Sequence, residues 1–320
     1  MSSFLSPAPI DDTTSTLAKV GVSCLERGWL SANNIIIRGE GPTALVDSGY
    51  SSHALQTRAL VAAALDGAPL DLLLNTHLHS DHCGGNAELQ QAYPALTTLI
   101  PPGQAASVTK WDPIALTFEP TGQTCLQFTH QGVLMPGTSI RLGSLNWDIH
   151  AAKGHDPHSI VLFQAEHRLL ISADALWENG FGIVFPELEG ISAFDEVADT
   201  LDLMEALAPT TVLPGHGRIF KDIKGALARA RSRLEQFVSQ PDKHRRHALK
   251  VLIKFKLLEW QSVSMDALLD WVLATSYFFN TMPEAVRLDR ERTREWLGQL
   301  LGELERSQAL LRNGEMVINR

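Results

Sequence analysis

No run of about 18 apolar residues occurs in this chain of 320 residues, which excludes a membrane-spanning helix. Cysteine is scarce. Cys24, Cys83 and Cys125 cannot build a disulfide framework and point to a reducing compartment, the cytoplasm. Residues 1–16 are polar and have neither the basic opening nor the apolar stretch of a secretory signal, so they read as a tail. Positive charge is in deficit: 27 Lys+Arg face 36 Asp+Glu, a net charge of −9 that repels nucleic acid unless cations are gathered locally. Tandem repeats and low-complexity tracts are missing as well. What remains is an ordinary globular composition, 44% hydrophobic and 20% charged, long enough to bury a core without staples and incompatible with disorder.

The charge is uneven along the chain. Residues 241–320 carry 13 Lys+Arg against 11 Asp+Glu, whereas the rest carries 14 against 25. Texture changes at the same place. Short apolar runs at 33–37, 43–46, 70–74, 97–100, 146–150, 160–164, 169–172 and 211–213 predict strands, interleaved with helices over 55–65 and 193–207. That mixture argues for a layered α/β core. A helix over 223–238 leads away from it. Beyond Pro241-Asp242 the pattern turns helical, over 247–259, 265–274 and 290–305, and closes on Asn313-Gly314 between two apolar runs, a hairpin signal. Three helices and a hairpin have the layout of a small winged-helix-like module. The expected organisation is a tail (1–16), a catalytic domain (17–240) and a helical C-terminal domain (241–320).

One segment carries chemistry: Asn75-Thr76-His77-Leu78-His79-Ser80-Asp81-His82-Cys83-Gly84-Gly85, directly after an apolar run. Three imidazoles and a carboxylate within six residues suit zinc and other divalent first-row metals. Further ligand types follow later strand runs: His155 after 146–150, Asp174 after 169–172, and His216 within Gly215-His216-Gly217 after 211–213. Together these give five His and two Asp, enough for two metal sites.

This pattern, His77-x-His79-x-Asp81-His82 followed by His155, Asp174 and His216, with Asp47-Ser48-Gly49 upstream, resembles the metallo-β-lactamase superfamily over about residues 17–220. The resemblance implies a four-layer αβ/βα sandwich with a dinuclear site at one edge. It implies that His77, His79 and His155 hold one metal, that Asp81, His82 and His216 hold the other, and that Asp174 bridges them. Asp47 would order the ligand loops without being a ligand. Two divalent ions, zinc first with iron or manganese as alternatives, would generate a bridging hydroxide that attacks a polarised carbonyl or phosphoryl group. Asp81 would shuttle a proton to the leaving group.

The ligand set narrows the branch. Asp174 stands where the commonest zinc β-lactamases carry Cys, so the chain is not expected to be a true β-lactamase. His79 stands where flavin-partnered di-iron relatives carry Glu. The expected activity is hydrolysis of a small acyl substrate: a thioester, lactone or ester. The alternatives are an endoribonuclease or phosphodiesterase, a mono-iron sulfur-oxidising relative and, last, a non-catalytic regulator. Residues 176–186 are aromatic and apolar, and make Trp177 and Phe181 candidate pocket residues. The apolar segment 271–279 reads as ordinary helical core and otherwise as a cap over the site. His158, three residues after His155, is either a local hydrogen-bonding residue or part of the pocket. Cys83 reads as a small buried side chain. Lys243-His244-Arg245-Arg246-His247, the one basic cluster of note, reads as a solvated helix start and otherwise as a phosphate contact. No membrane is expected as partner, nucleic acid is disfavoured, and the oligomeric state is open, a homodimer included.

Overall fold

The structure is a computed structural model and describes residues 12–320. Most of the expected tail lies outside the described residues; its last part belongs to a helix, Asp12–Lys19. Two sheets form the body. One has six strands in the order Val22–Leu25, Asn34–Ile37, Ala44–Val46, Leu72–Leu74, Thr97–Ile100, Gly132–Val133. The other has five, ordered Thr211–Pro214, Leu169–Ala173, Ile160–Gln164, Leu145–Ala151, Ser139–Leu142. Strand pairing in the first sheet is antiparallel at Val22–Leu25 and Asn34–Ile37, and parallel from Ala44–Val46 onward.

Alternation along each strand dictates the layers. Ile35 and Ile37 face inward with Val46 and Leu74, and meet Trp147, Ile149, Leu162 and Leu213 from the second sheet. Ile36, Leu45 and Leu73 face the other way, onto Val61 and Leu65 of helix Ala54–Leu65. Leu170 and Val212, on the second sheet, likewise pack outward on Val197, Leu201 and Met204 of helix Phe194–Leu207. The result is helix, sheet, sheet, helix: the four-layer sandwich. Strands covered on both faces read as unbroken apolar runs, which is why Ile160–Gln164 and Leu169–Ala173 are buried throughout.

Helix Ile223–Ser239 ends at Gln240, and helix Pro241–Trp260 starts at the next residue. Beyond it lie helices Met265–Ala274 and Arg290–Arg306 and the hairpin of Leu310–Asn313 with Met316–Asn319. A strand with no clear sequence signal, Ser262–Ser264, adds to the hairpin and makes a three-stranded sheet. This region has its own core of Leu252, Ile253, Leu269, Phe278, Leu297 and Leu301, against which Phe185 and Leu188 of the sandwich also pack. No helix among the described residues is long and apolar enough to cross a membrane.

Candidate metal centre

Every ligand candidate sits just beyond the C-terminal end of a strand, where side chains leave the sheet on loops. His77, His79, Asp81 and His82 follow Leu72–Leu74. His155 follows Leu145–Ala151, Asp174 follows Leu169–Ala173, and His216 follows Thr211–Pro214. The first sheet therefore supplies four candidates and the second sheet three. Asn33 ties the two halves at this edge: its Nδ2 donates to Pro214 O at 3.0 Å and Gly217 O at 2.8 Å.

The seven side chains gather into two sets. His77, His79 and His155 form one; Asp81, His82, Asp174 and His216 form the other, with the ligand atoms of each set within 4.8 Å of one another. In the first, His79 Nδ1 and His155 Nε2 are 2.8 Å apart, and His155 Nε2 and His77 Nε2 are 3.3 Å apart. In the second, His216 Nε2 lies 3.1 Å from Asp81 Oδ2, and His82 Nε2 lies 3.3 Å from Asp174 Oδ1. Asp174 reaches across, its Oδ2 being 3.6 Å from His155 Nε2 and 3.8 Å from His216 Nε2. A side chain at residue 215 would break this arrangement, because a Cβ on Gly215 would stand 2.3 Å from Asp174 Oδ1.

Supporting groups fix the rings. Asp47 Oδ2 accepts from His82 Nδ1 at 2.7 Å and from Thr76 Oγ1 at 2.8 Å, while its Oδ1 accepts from the Thr76 N–H at 2.9 Å. His155 Nδ1 donates to Ile183 O at 2.5 Å, which turns its Nε2 lone pair into the site. Trp177 Nε1 donates to Asp174 Oδ1 at 3.2 Å. Asp156, which the sequence reading did not single out, sits 3.7 Å from His79 Nε2.

Burial and mutual repulsion among the rings keep His77 well below the ordinary imidazole range, and burial beside His155 brings His79 to about 4. Burial also lowers His155. These three imidazoles are neutral at pH 7, with lone pairs to offer. Around His82 burial is outweighed by Asp47 and Asp174, which hold its pKa well above the usual value. Burial likewise opposes charge on Asp174, yet His216 and His82 keep it well below the carboxylate range. Among the described residues His82 Nε2 and His216 Nδ1 are buried without a hydrogen-bond partner. Converging lone pairs, an orphaned ring nitrogen beside a carboxylate, and an all-His/Asp donor set fit divalent cations.

The site opens into an apolar cleft. Trp29 stacks on His216 with ring centroids 5.4 Å apart and planes 6° apart, and Trp177 stands edge-on to both. Val251, Leu252 and Phe255 of helix Pro241–Trp260 roof the same space. It widens into a cavity of about 710 Å3. Trp177 lines both parts; Phe181 lines the wider one while packing edge-on against Phe237.

The structure places two further candidates outside the cleft. His158 is not in the cleft: Asp156 Oδ1 accepts from its backbone N–H at 2.7 Å, and the tight turn seats the ring against Gly103. The segment 271–279 does not cap the site, since Phe278 belongs to the C-terminal core and Trp271 Nε1 donates to Gly122 O at 3.3 Å. Cys83 is fully buried, as read, with Sγ 3.9 Å from Cys125 Sγ. The basic cluster divides: Arg245 pairs with Asp242 at 3.4 Å, Arg246 pairs with Glu303, and His244 is buried.

The profile described as "Metallo-beta-lactamase superfamily" matches residues 27–216, more than half of the chain. The chain belongs to this superfamily. With the His/Asp cluster at its sheet edge, it is a metal-dependent hydrolase of the metallo-β-lactamase fold. The human acyl-coenzyme A thioesterase MBLAC2 is 27% identical over 210 residues, 59% of this chain and 74% of the relative. A hydroxyacylglutathione hydrolase from Xanthomonas axonopodis pv. citri is 28% identical over 182 residues, 57% of this chain and 58% of the relative. A solved metallo-beta-lactamase family protein from Thermus thermophilus has a TM-score of 0.54 at 17% identity, covering 94% of this chain and 99% of its own, and speaks for the fold alone.

Proposed function

We propose that this chain hydrolyses a small acyl substrate, a thioester ahead of a lactone or ester, with two divalent cations held by the two ligand sets. The observation that carries the reading is the placement of members of both sets, His79 and His155 with Asp81, Asp174 and His216, on the floor of an apolar, aromatic-walled cleft. The two relatives named above support the thioester, since each acts by name on an acyl group carried by a thiol. In this reading His77, His79 and His155 hold one cation, Asp81, His82 and His216 hold the other, and Asp174 lies between. Zinc is the first choice for such donors, ahead of iron or manganese. Residues 17–240 are taken as the catalytic unit, and 241–320 as a winged-helix-like module that roofs it.

Cations bound there would supply Lewis acidity and an acidified water. The chain's own groups do the rest. Asp47 keeps His82 in one ring orientation, and Ile183 O keeps His155 in one tautomer. Asp81 lies on the cleft floor with Oδ2 beside His216, leaving Oδ1 to take a proton from water and return it to the leaving group. Trp29, Trp177 and Phe255 exclude bulk water and pack the acyl chain.

Metal analysis joined to a hydrolysis panel of thioesters, lactones, aryl esters and phosphodiesters tests this. About two cations per chain and acyl turnover are the expected result. His79→Ala and Asp81→Ala should each cut kcat/KM by more than the roughly 10–100-fold that loss of a supporting group costs. Full turnover by metal-depleted Asp81→Ala protein, or cleavage of phosphodiesters alone, would sink the reading.

A further inference from the structure

The apolar cleft does not end at its aromatic wall. Its outer side continues into a second cavity of about 760 Å3, lined from the helices Ile223–Ser239 and Pro241–Trp260. Asn179, Arg233, His247 and Lys250 line both spaces. The second cavity gathers Arg229, Arg233, Lys243, Arg246 and Lys250, with Glu303 its one carboxylate. These cations concentrate on a chain whose net charge is −9.

Their charge is only partly answered. Glu303 is shared between Arg246, at 2.6 Å, and Lys250, at 2.9 Å. Arg229 has a loose, solvent-exposed contact with Asp222 at 3.4 Å, worth little. Lys243 and Arg233 have no carboxylate partner among the described residues. Arg233 is half-buried, and its Nη1 donates to Phe181 O at 3.2 Å. The guanidinium lies on Gly180, whose φ is +116° and whose Cβ, had it one, would come within 2.6 Å of Arg233 Cζ. Both the backbone and the bare α-carbon of Gly180 therefore serve to hold the arginine where it is. A partly desolvated guanidinium without an anion is costly, and an arriving anion restores the missing partner.

We propose that this trough binds the phosphate groups of a small acyl-carrying thiol, with Arg233 at the junction where the carrier's polar end leaves the apolar cleft. The assignment rests on the acyl-hydrolase reading above. Arginine's planar fork matches phosphate oxygens two at a time. Five cations against one carboxylate call for a ligand with two or more phosphates, not for a single carboxylate. Directly over the ligand sets the space is apolar and aromatic, and cations line it from the wider cavity outward, Arg218, Lys254, Arg233 and Lys250 first and Lys243, Arg246 and Arg229 beyond, a grading that matches a two-part substrate.

Two thioesters of one acyl group, carried either by coenzyme A or by phosphate-free N-acetylcysteamine, separate the two parts. Wild-type protein should favour the coenzyme A ester. Arg233→Gln and Lys243→Ala should each raise KM for that ester roughly tenfold, at unchanged kcat, and leave the N-acetylcysteamine ester untouched. Lys243 is exposed, so its variant keeps the test open should Arg233→Gln fail to fold. Calorimetric titration with adenosine 3′,5′-bisphosphate reads the trough without turnover, and the double variant should bind it far more weakly. Equal kinetics on both esters, with no bisphosphate binding, would overturn the trough and leave thioester hydrolysis standing. Bisphosphate binding lost in the double variant, with neither ester cleaved, would overturn the hydrolase reading and leave the trough standing. Single-stranded RNA that displaces the bisphosphate at lower concentration would overturn the assignment in favour of nucleic acid.

Discussion

Asp47 adopts a left-handed backbone, φ +59°, and from there its carboxylate serves Thr76 twice and His82 once. A non-glycine residue held in that region is under strain, which the surrounding hydrogen bonds offset. Asp47→Asn keeps the shape but loses an acceptor for the His82 proton. Metal affinity should drop about 10–100-fold, measured by competition with a chromophoric chelator. Unchanged affinity would mean that His82 is oriented by packing alone. The seven ligand candidates stood out in the sequence as ligand-type side chains after short apolar runs, while Asp47 and the gathering of all of them at one edge came from the family resemblance. Trp29, Asp156 and Phe255 were not, since a lone Trp in a turn, an Asp before Pro157 and a Phe in a helix have no local pattern that points to a site. Their roles come from partners distant in sequence: Trp29 meets His216, and Phe255 meets Tyr50 with ring centroids 5.2 Å apart. Truncating Phe255 to Ala should open the roof and raise KM for long acyl chains several-fold, as expected for removing apolar contact from a bound ligand. Steady-state kinetics over a series of chain lengths would show it, and equal KM values across the series would contradict it.

Helix Pro241–Trp260 is the element that joins the C-terminal region to the site. Near its start, His244 Nε2 accepts from the Val184 N–H at 3.1 Å, and that bond requires a neutral ring. Burial, helped by His247 and Arg245, lowers the His244 pKa to about 4; burial beside Arg233 and Lys250 does the same for His247. The unfolded chain binds these protons near pH 6.5, the folded one only near 4, so their contribution is complete above about 6.5 and is lost as pH falls toward 4. For His244 the loss is on the order of 2–3 kcal/mol. Urea unfolding of the wild type at pH 7 and pH 4.5, beside His244→Gln, checks this: the wild type should lose more stability than the variant. Elements with strong patterns were the readable ones. Thr97–Ile100, Ile160–Gln164 and Met265–Ala274 are where the sequence puts them. Ser139–Leu142 and Val22–Leu25 were missed because both are edge strands, short and in part exposed, with pairing on one side to define them.

At the scale of the whole molecule, the C-terminal region has its own core yet shares it with Phe185 and Leu188, and Tyr277 Oη donates to Glu189 at 2.5 Å. The two regions should therefore unfold together. Far-UV circular dichroism and tryptophan fluorescence should trace one coincident thermal transition; two separated transitions would show the regions to be independent. A layered α/β core was legible because strand runs and helices alternate; the four layers came from the family resemblance of the ligand motif. The roof was not, because its contacts link residues such as Val184 and His244 through space, and no local pattern announces such a pairing. One arrangement described above bears on time as well as on chemistry. Each ligand set draws on both sheets: His77 and His79 meet His155, and Asp81 and His82 meet Asp174 and His216. Neither set is complete until the sheets have docked, so a cation met earlier by residues 77–82 gains its remaining ligands only at that step. The larger part of its effect is expected on the return journey: loaded protein should unfold more slowly than metal-free protein, which stopped-flow unfolding with and without a chelator would show.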